Sequence, residues 1–221
     1  MLNVKVLSGS MIAALLALGS YLGAISRPGA AVAHVGTKAL PEVAKVAQKT
    51  PAASLTISER GIGAAKLGMT FGELKKALGS TAQFKESPAI AGEGFAGVAV
   101  SQSGQVQYWI IYPFRTNLKD ADVIEDLMTD NPNYKTVEGV GPGMTLKQAE
   151  AIYGKATLGY NTDYESQEVL VFANQPNKKI RFDPKAEGRK YAGVYGASQG
   201  VVHETNKYQQ NAVIRSVSVQ K

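Results

Sequence analysis

The chain contains no cysteine among its 221 residues. Disulfide bonds, thiolate metal sites and a lipid-bearing cysteine are therefore excluded, and the folded part must be stabilised by its packed core. Histidine is almost as scarce, because only His34 and His203 occur. No HExxH or HxH motif gives metal-ligand spacing, and no GxGxxG sequence opens a βαβ unit. We therefore expect no metal site and no bound cofactor.

The excess of positive charge is small. The 24 lysines and arginines exceed the 18 acidic residues by six, and two of them, Lys5 and Arg27, lie in an N-terminal segment typical of leaders. This excess is too modest to indicate a nucleic-acid surface, so we expect no nucleic-acid partner. Small basic clusters at residues 178–181 and 189–190 are expected on solvated hairpin faces.

The N-terminal segment has the pattern of a signal peptide. An apolar run, "MIAALLALGSYLGAI", follows Lys5, and "AVA" at Ala31 to Ala33 supplies the small residues that signal peptidase accepts. Residues 1–33 are therefore predicted to be a signal peptide, with the product periplasmic or secreted. The alternative is an uncleaved N-terminal anchor, because the 21 residues from Val6 to Ser26 are uncharged and long enough to span a bilayer.

The remainder divides into a spacer and a folded part. Residues 34–54 are rich in alanine, lysine and proline and are predicted to be a flexible spacer. The folded part is expected at residues 55–221. The turn-forming cluster "TDNPN", residues 129–133, indicates a join between a first segment, residues 55–131, and a second, residues 132–221.

A Gly-Met-Thr sequence occurs once in each segment, in "KLGMTFGELKKALG" and in "GVGPGMTLKQAEAIYG". In both, the threonine is followed three residues later by glutamate or glutamine, which is the capping box of a helix start. Each run ends at a glycine that can close a helix. The two boxes are Thr70 with Glu73 and Thr145 with Gln148. We interpret the repeated motif as architecture rather than chemistry.

The apolar spacing predicts helices of about two turns whose buried faces pack on a sheet. These faces are predicted to contain Phe71, Leu74, Ala77 and Leu78 in the first helix and Leu146, Ala149, Ile152 and Tyr153 in the second. Runs typical of strands follow each helix: "GFAGVAVS", "QVQYWIIY", "QEVLVFA", "KKIRF" and "AVIRSVSV". The predicted fold class is α+β, with two diverged repeats that each pack a short capped helix on an antiparallel sheet.

The two motifs resemble those of a group of exported bacterial proteins that includes the β-lactamase inhibitory protein and the small lipoprotein of the outer-membrane barrel-assembly machine. The matching residues are Gly68, Met69, Thr70, Leu74, Leu78 and Gly79, with Gly143, Met144, Thr145 and Gly154 in the second copy. The resemblance implies a helix followed by an antiparallel sheet and a function in binding other proteins. The group usually has a helix before the motif, where this chain has extended glycine-rich sequence.

Two features of the sequence resemble parts of catalytic sites. Ser198 lies in "GASQG", which matches the five-residue GxSxG pattern, but no aspartate follows it as a triad partner. The acidic stretch contains Asp120, Asp122, Glu125, Asp126 and Asp130. It lacks the spacing of a calcium loop and is expected to be a solvated face. These observations argue against catalysis, and an envelope hydrolase using Ser198 or the acidic stretch is kept as the alternative function.

Aromatic residues give the prediction for a binding site. In "QVQYWIIY", alternation places Gln107, Trp109 and Ile111 on one face, and Val106, Tyr108, Ile110 and Tyr112 on the face assigned to the core. In "YAGVYG", Tyr191 and Tyr195 would share one face of a strand. We predict that Trp109, Tyr191 and Tyr195 form one partner-binding patch.

These observations favour an exported, non-enzymatic protein-binding or accessory module of the bacterial cell envelope. Its partner is expected to be an unidentified envelope protein, with membrane contact only through an uncleaved anchor. A structural or polysaccharide-contacting accessory protein is the third possibility.

Overall fold

The computed structural model describes residues 55–87, 95–114, 116–163, 167–197 and 200–221. The predicted signal peptide, the predicted spacer and Ser198 lie outside these residues. The described part has two α-helices of eight residues, α1 (Phe71–Leu78) and α2 (Leu146–Tyr153), and a 3-10 helix at Gly79–Thr81. Neither α-helix, nor any other helix in these ranges, is long and apolar enough to cross a membrane.

Strands make up most of the regular structure. In chain order they are β1 (Thr56–Ser58), β2 (Gly61–Ile62), β3 (Ala65–Lys66), β4 (Ala82–Ser87), β5 (Phe95–Gln102), β6 (Gln105–Pro113), β7 (Asp126–Thr129), β8 (Lys135–Thr136), β9 (Ala156–Asn161), β10 (Val169–Phe172), β11 (Ile180–Lys185), β12 (Val202–Thr205) and β13 (Val213–Gln220). The α+β class predicted from the sequence is confirmed. All five of the predicted strand runs contain a strand.

The strands form two sheets. The larger has nine strands in the order β12-β9-β10-β11-β13-β7-β6-β5-β4, and every neighbouring pair in it is antiparallel. The smaller has four strands in the order β3-β2-β1-β8, in which β1 and β8 run parallel. Both sheets contain strands from residues 55–131 and from residues 132–221, and β7 and β13 join the two segments at the centre of the large sheet.

Both predicted capping boxes are present. Thr70 Oγ1 accepts a hydrogen bond from the Glu73 amide at 3.2 Å, and the Thr70 amide donates to the Glu73 carboxylate at 2.8 Å. Thr145 and Gln148 make the same two bonds at 3.2 and 3.1 Å. These bonds satisfy amides that the first turn of a helix leaves without a partner, which is why each helix begins at its threonine.

The buried helix faces are narrower than predicted. Phe71, Leu74 and Leu78 are buried in α1, and Leu146, Ala149 and Tyr153 are buried in α2. The predictions for two further residues were wrong, because Ala77 is exposed and Ile152 is 42% exposed. The core is reached by positions spaced i, i+3 and i+7, and a helix of two turns presents only this narrow stripe to a sheet.

The large sheet buries one face against both helices. Phe71 of α1 meets Phe84 with ring centroids 5.4 Å apart, and Tyr153 of α2 meets Phe172 and Phe182 at 5.9 and 6.1 Å. We call this side the core face and the opposite side the outer face. Alternation along the strands therefore places Arg181, next to Phe182, on the outer face.

Candidate functional site

The outer face carries a cleft of about 540 Å³ across the central strands. Most of its lining comes from β6, β7, β11 and β13, and includes Trp109, Met128, Asp126, Asp183 and Arg181. The sheet register explains this set: Trp109 pairs with Met128, Met128 with Ser218, and Ser218 with Arg181. Cross-strand partners point to the same face, so this row of four side chains runs across the cleft.

Trp109 lies on the face that the sequence predicted. It is half-buried and lines the cleft, whereas Tyr108 and Ile110 are 2% and 1% exposed in the core. The prediction was wrong for Gln107, whose carboxamide oxygen accepts a bond of 3.4 Å from the buried Tyr134 hydroxyl. A register shift between β5 and β6 changes the alternation at this position. Val106, assigned to the core, is only half-buried.

A line of polar side chains crosses the cleft beside Trp109. The Gln220 amide nitrogen donates to Asp126 Oδ2 at 2.9 Å, and the Gln220 oxygen accepts from Arg181 Nη1 at 3.5 Å. The other Asp126 oxygen, Oδ1, is buried and makes no well-aligned hydrogen bond within the described residues. Burial raises the pKa of Asp126 to about 6, an effect that outweighs the opposing influence of Gln220 and Arg181.

The floor and rim of the cleft hold further charges. Asp183 is 6% exposed, and its Oδ2 accepts a bond of 2.9 Å from the Ser216 hydroxyl. Asp130 and Arg215 are exposed at the rim. The cleft therefore has three carboxylates and two guanidinium groups around one indole ring. It can bind a partner through aromatic contact together with charged and neutral hydrogen bonds.

The acidic stretch divides between this cleft and ordinary surface contacts. Asp120 pairs with Lys75, Glu125 lies 3.3 Å from Lys221, and an Asp122 oxygen accepts from the Lys119 amide. The prediction of a solvated face holds for the exposed Asp120 and Glu125. It was wrong for Asp126, because β7 begins at this residue and carries its side chain into the cleft.

Tyr191 and Tyr195 are brought together, in a second cluster of aromatic rings. Their centroids are 5.6 Å apart, and both contact Tyr160, which stacks on Tyr191 at 4.3 Å and meets Tyr195 edge-on at 4.8 Å. His203 stacks on the other side of this group, 4.6 Å from Tyr160. Burial, with help from a neighbouring carboxylate, raises the pKa of Tyr195.

The predicted strand at "YAGVYG" was wrong, and a buried glutamate explains why the tyrosines still meet. Glu168 is 8% exposed and accepts bonds from the Ala192 amide, the Gly193 amide and the Tyr195 hydroxyl at 2.7, 2.8 and 2.7 Å. These bonds hold residues 191–195 as an irregular segment whose only ladder contact, among the described residues, is a single bridge from Gly193. Sequence reasoning missed Glu168.

The prediction of one shared patch was wrong. Tyr160 lies two residues after the buried Leu158 in β9, so the two side chains share the core face. Trp109 lies on the outer face. The strands that carry Tyr160 and Trp109 are five places apart in the sheet, which corresponds to about 24 Å. Tyr191 and Tyr195 are thus part of a separate aromatic cluster, and of the three predicted residues only Trp109 lines the cleft.

The remaining chemistry of the described residues is limited. Within these ranges no group of three or more histidine, cysteine, aspartate or glutamate side chains could hold a metal ion. The cleft residues that the sequence analysis did not select include Asp183, Ser216 and Ser218. The alternation of polar residues in "IRFDPK" and "VIRSVSV" is the signal that could have placed them on one face.

No protein-family model, curated protein sequence or solved structure was found to match this chain.

Proposed function

We propose that the chain is an exported, non-enzymatic module of the bacterial cell envelope that binds another protein through the outer face of its nine-stranded sheet. The observation that carries the proposal is the position of Trp109, half-buried on a central strand and beside a cleft of about 540 Å³. An aromatic side chain on a rigid strand provides contact area at little cost in conformational entropy. Export is proposed from the N-terminal sequence alone.

The two-repeat arrangement is part of this proposal, and the hydrogen bonds at the two motifs support it. In the first, the Gly68 amide donates to the Ile124 carbonyl and the Ile124 amide to the Met69 carbonyl, at 2.8 and 2.9 Å. In the second, Gly143, Ile214 and Met144 make the same pair of bonds at 2.9 and 2.8 Å. The first motif thus docks on the chain just before β7 and the second on the first residues of β13, the two strands at the centre of the large sheet.

The resemblance to exported protein-binding modules agrees with this arrangement. A capped helix on an antiparallel sheet leaves the opposite sheet face available, and two such units side by side would give one broad surface. The cleft lies where the two units would meet, because most of its lining comes from β6 and β7 on one side and β11 and β13 on the other. The binding surface would therefore exist only when both copies are folded.

The test is capture of the partner by variants of the tagged chain. We expect Trp109→Ala to reduce crosslinked capture from the source envelope at least tenfold, because a central tryptophan often contributes about 2 kcal/mol or more to an interface. Ile152→Ala is the matched control. Ile152 is 42% exposed on the helix side of the sheet, so its truncation should leave capture unchanged.

Denaturant unfolding of both variants would separate binding from stability. A loss of capture with a near-native unfolding curve supports the proposal, whereas a loss of 3 to 5 kcal/mol would indicate that Trp109 acts mainly through the core. Equal capture by Trp109→Ala and the parent chain contradicts the proposed site.

Catalysis is the second candidate, favoured by the two cleft carboxylates Asp126 and Asp183 and by the raised pKa of Asp126. A carboxyl group with a pKa of about 6 can act as a general acid near neutral pH. Turnover of glycoside substrates that Asp126→Asn abolishes would support this candidate against the binding module.

A further inference from the structure

One end of the cleft combines an indole, a thioether and two carboxylates. We call it the Trp109 end and define it by Trp109, Asp126, Met128 and Asp130. Asp126 and Met128 alternate along β7 and share the outer face, and Asp130, the residue after the end of the strand, also lines the cleft. Trp109 is the cross-strand partner of Met128. Indole, thioether and two carboxylates are therefore neighbours on one surface.

The charges of the cleft are unevenly placed. The two guanidinium groups belong to Arg181 on β11 and Arg215 on β13, whereas the charged groups on β7 and directly after it are the carboxylates of Asp126 and Asp130. Arg181 is also engaged by Gln220 at 3.5 Å. The Trp109 end is thus acidic in a chain whose overall charge is +6, and electrostatic complementarity favours a positively charged group there.

The two carboxylates have different surroundings. Asp130 is exposed at the rim and can contact an incoming group directly. Asp126 is held in place by the Gln220 amide at 2.9 Å and, when ionised, adds a second negative charge to this end of the cleft. Neither of them takes part in a salt bridge within the described residues.

The apolar groups complete a site for a long cationic side chain. Lysine and arginine lay their methylene stems on apolar surface while the charged head stays polar, and Met128 and the indole of Trp109 offer such a surface. The face of a tryptophan ring is also the strongest aromatic partner for a cation. A carboxylate beside the ring adds a charge-assisted hydrogen bond.

We propose that the Trp109 end of the cleft receives a lysine or arginine side chain of the partner protein. This inference rests on the proposed function, because it names the chemistry of the group that enters the same site. Arg181 on β11 and Arg215 on β13 also line the cleft and would repel a second cation.

The test uses single amino acids as probes and the only tryptophan of the chain as reporter. The indole N–H signal of the purified chain would be followed by NMR at pH 7.5 during titration with N-acetyl-arginine amide, N-acetyl-lysine amide and N-acetyl-citrulline amide. Citrulline keeps the shape of arginine without its charge. We expect dissociation constants of about 1 to 10 mM for at least one cationic probe and at least tenfold weaker binding of citrulline.

Matched variants locate the interaction. Asp130→Asn should weaken binding of the cationic probe at least threefold and leave citrulline binding unchanged. Glu187→Gln removes the same charge from an exposed residue that does not line the cleft, and should change binding less than twofold.

Three results would overturn the inference: citrulline binding as tightly as arginine, no effect of Asp130→Asn, or an indole shift that tracks self-association in sedimentation experiments without any probe. The last result would identify a second copy of the chain as the occupant. In each case Trp109→Ala could still abolish partner capture, so failure of this inference and failure of the proposed function are distinguishable.

Discussion

Asp126 lies in the proposed binding cleft, and its raised pKa means that its ionised form lowers the stability of the fold. Its pKa is raised to about 6 by burial, and the nearby Asp183 adds to the increase, whereas Gln220 and Arg181 oppose it. A carboxyl group with a higher pKa in the folded state than in the unfolded state favours folding when protonated and opposes it when ionised. The ionised Asp126 on the outer face therefore lowers the stability of the fold.

Replacement of Asp126 by asparagine should make the free energy of unfolding less sensitive to pH. In the parent chain the contribution of Asp126 is fully present below about pH 4 and is lost as pH rises through about 6. The asparagine variant lacks this loss and can still accept the bond from Gln220. Its stability relative to the parent should therefore increase by about 1 to 3 kcal/mol between pH 4 and pH 7.5.

Urea unfolding at a series of pH values would measure this difference. Asp130→Asn is the matched control, since Asp130 is exposed directly after the end of the same strand. A stability difference between Asp126→Asn and the parent that stays constant with pH would show that the Asp126 carboxyl does not have a raised pKa.

The helices illustrate how local sequence determines an element. Each threonine cap, each glutamate or glutamine three residues later and each closing glycine follows from backbone hydrogen bonding within about ten residues. Gly79 and Gly154 adopt φ values of 57° and 74°, which a glycine takes without strain. Local rules therefore predicted both helices and their ends.

Thr145→Ala should lower the free energy of unfolding by about 1 kcal/mol, because the Gln148 amide loses its side-chain acceptor at 3.2 Å. Thr145→Ser keeps the hydroxyl and should cost much less. Chemical denaturation of the two variants measures the difference. If serine and alanine were equally destabilising, the methyl group of Thr145 rather than its hydroxyl would be the important part.

The strands were less predictable than the helices. The five predicted runs contain β5, β6, β10, β11 and β13, but β4, β7, β9 and β12 were missed. β4 reads "AQFKES" and β7 reads "DLMT", which are short or polar enough to resemble surface loops. Such strands form because they pair with neighbours far away in sequence. Their own residues show little preference for β-structure, so the sequence does not predict them.

At the scale of the molecule, the two segments share both sheets. β8 pairs with β1 in the small sheet, and β13 pairs with β7 through four residue pairs in the large one. The core residues of both segments also belong to one hydrophobic cluster. We therefore expect residues 55–221 to unfold as one cooperative unit.

Phe182→Ala tests this cooperativity. Phe182 is 1% exposed and packs on Phe172 and Tyr153, all in the second segment, so its truncation should cost about 3 to 5 kcal/mol. Trp109 fluorescence reports on the first segment. We expect its transition to shift to lower denaturant by the same amount as the transition seen by circular dichroism.

Val171→Ala is the control for this experiment, because Val171 is 51% exposed on a neighbouring strand and its truncation should shift neither transition appreciably. A Trp109 transition that stays at its parent midpoint in Phe182→Ala would mean that the two segments unfold separately.

The sequence by itself determined the features that depend on neighbouring residues: the capped helices, the α+β class, the core side of Tyr108 and Ile110, and the outward side of Trp109. The tertiary structure alone decided which distant residues meet. Alternation can assign a face to a strand but not a neighbour, so the cleft between β7, β11 and β13 could not be read from sequence. The separation of Trp109 from Tyr191 and Tyr195 has the same cause, since strand order is set by packing of the whole chain.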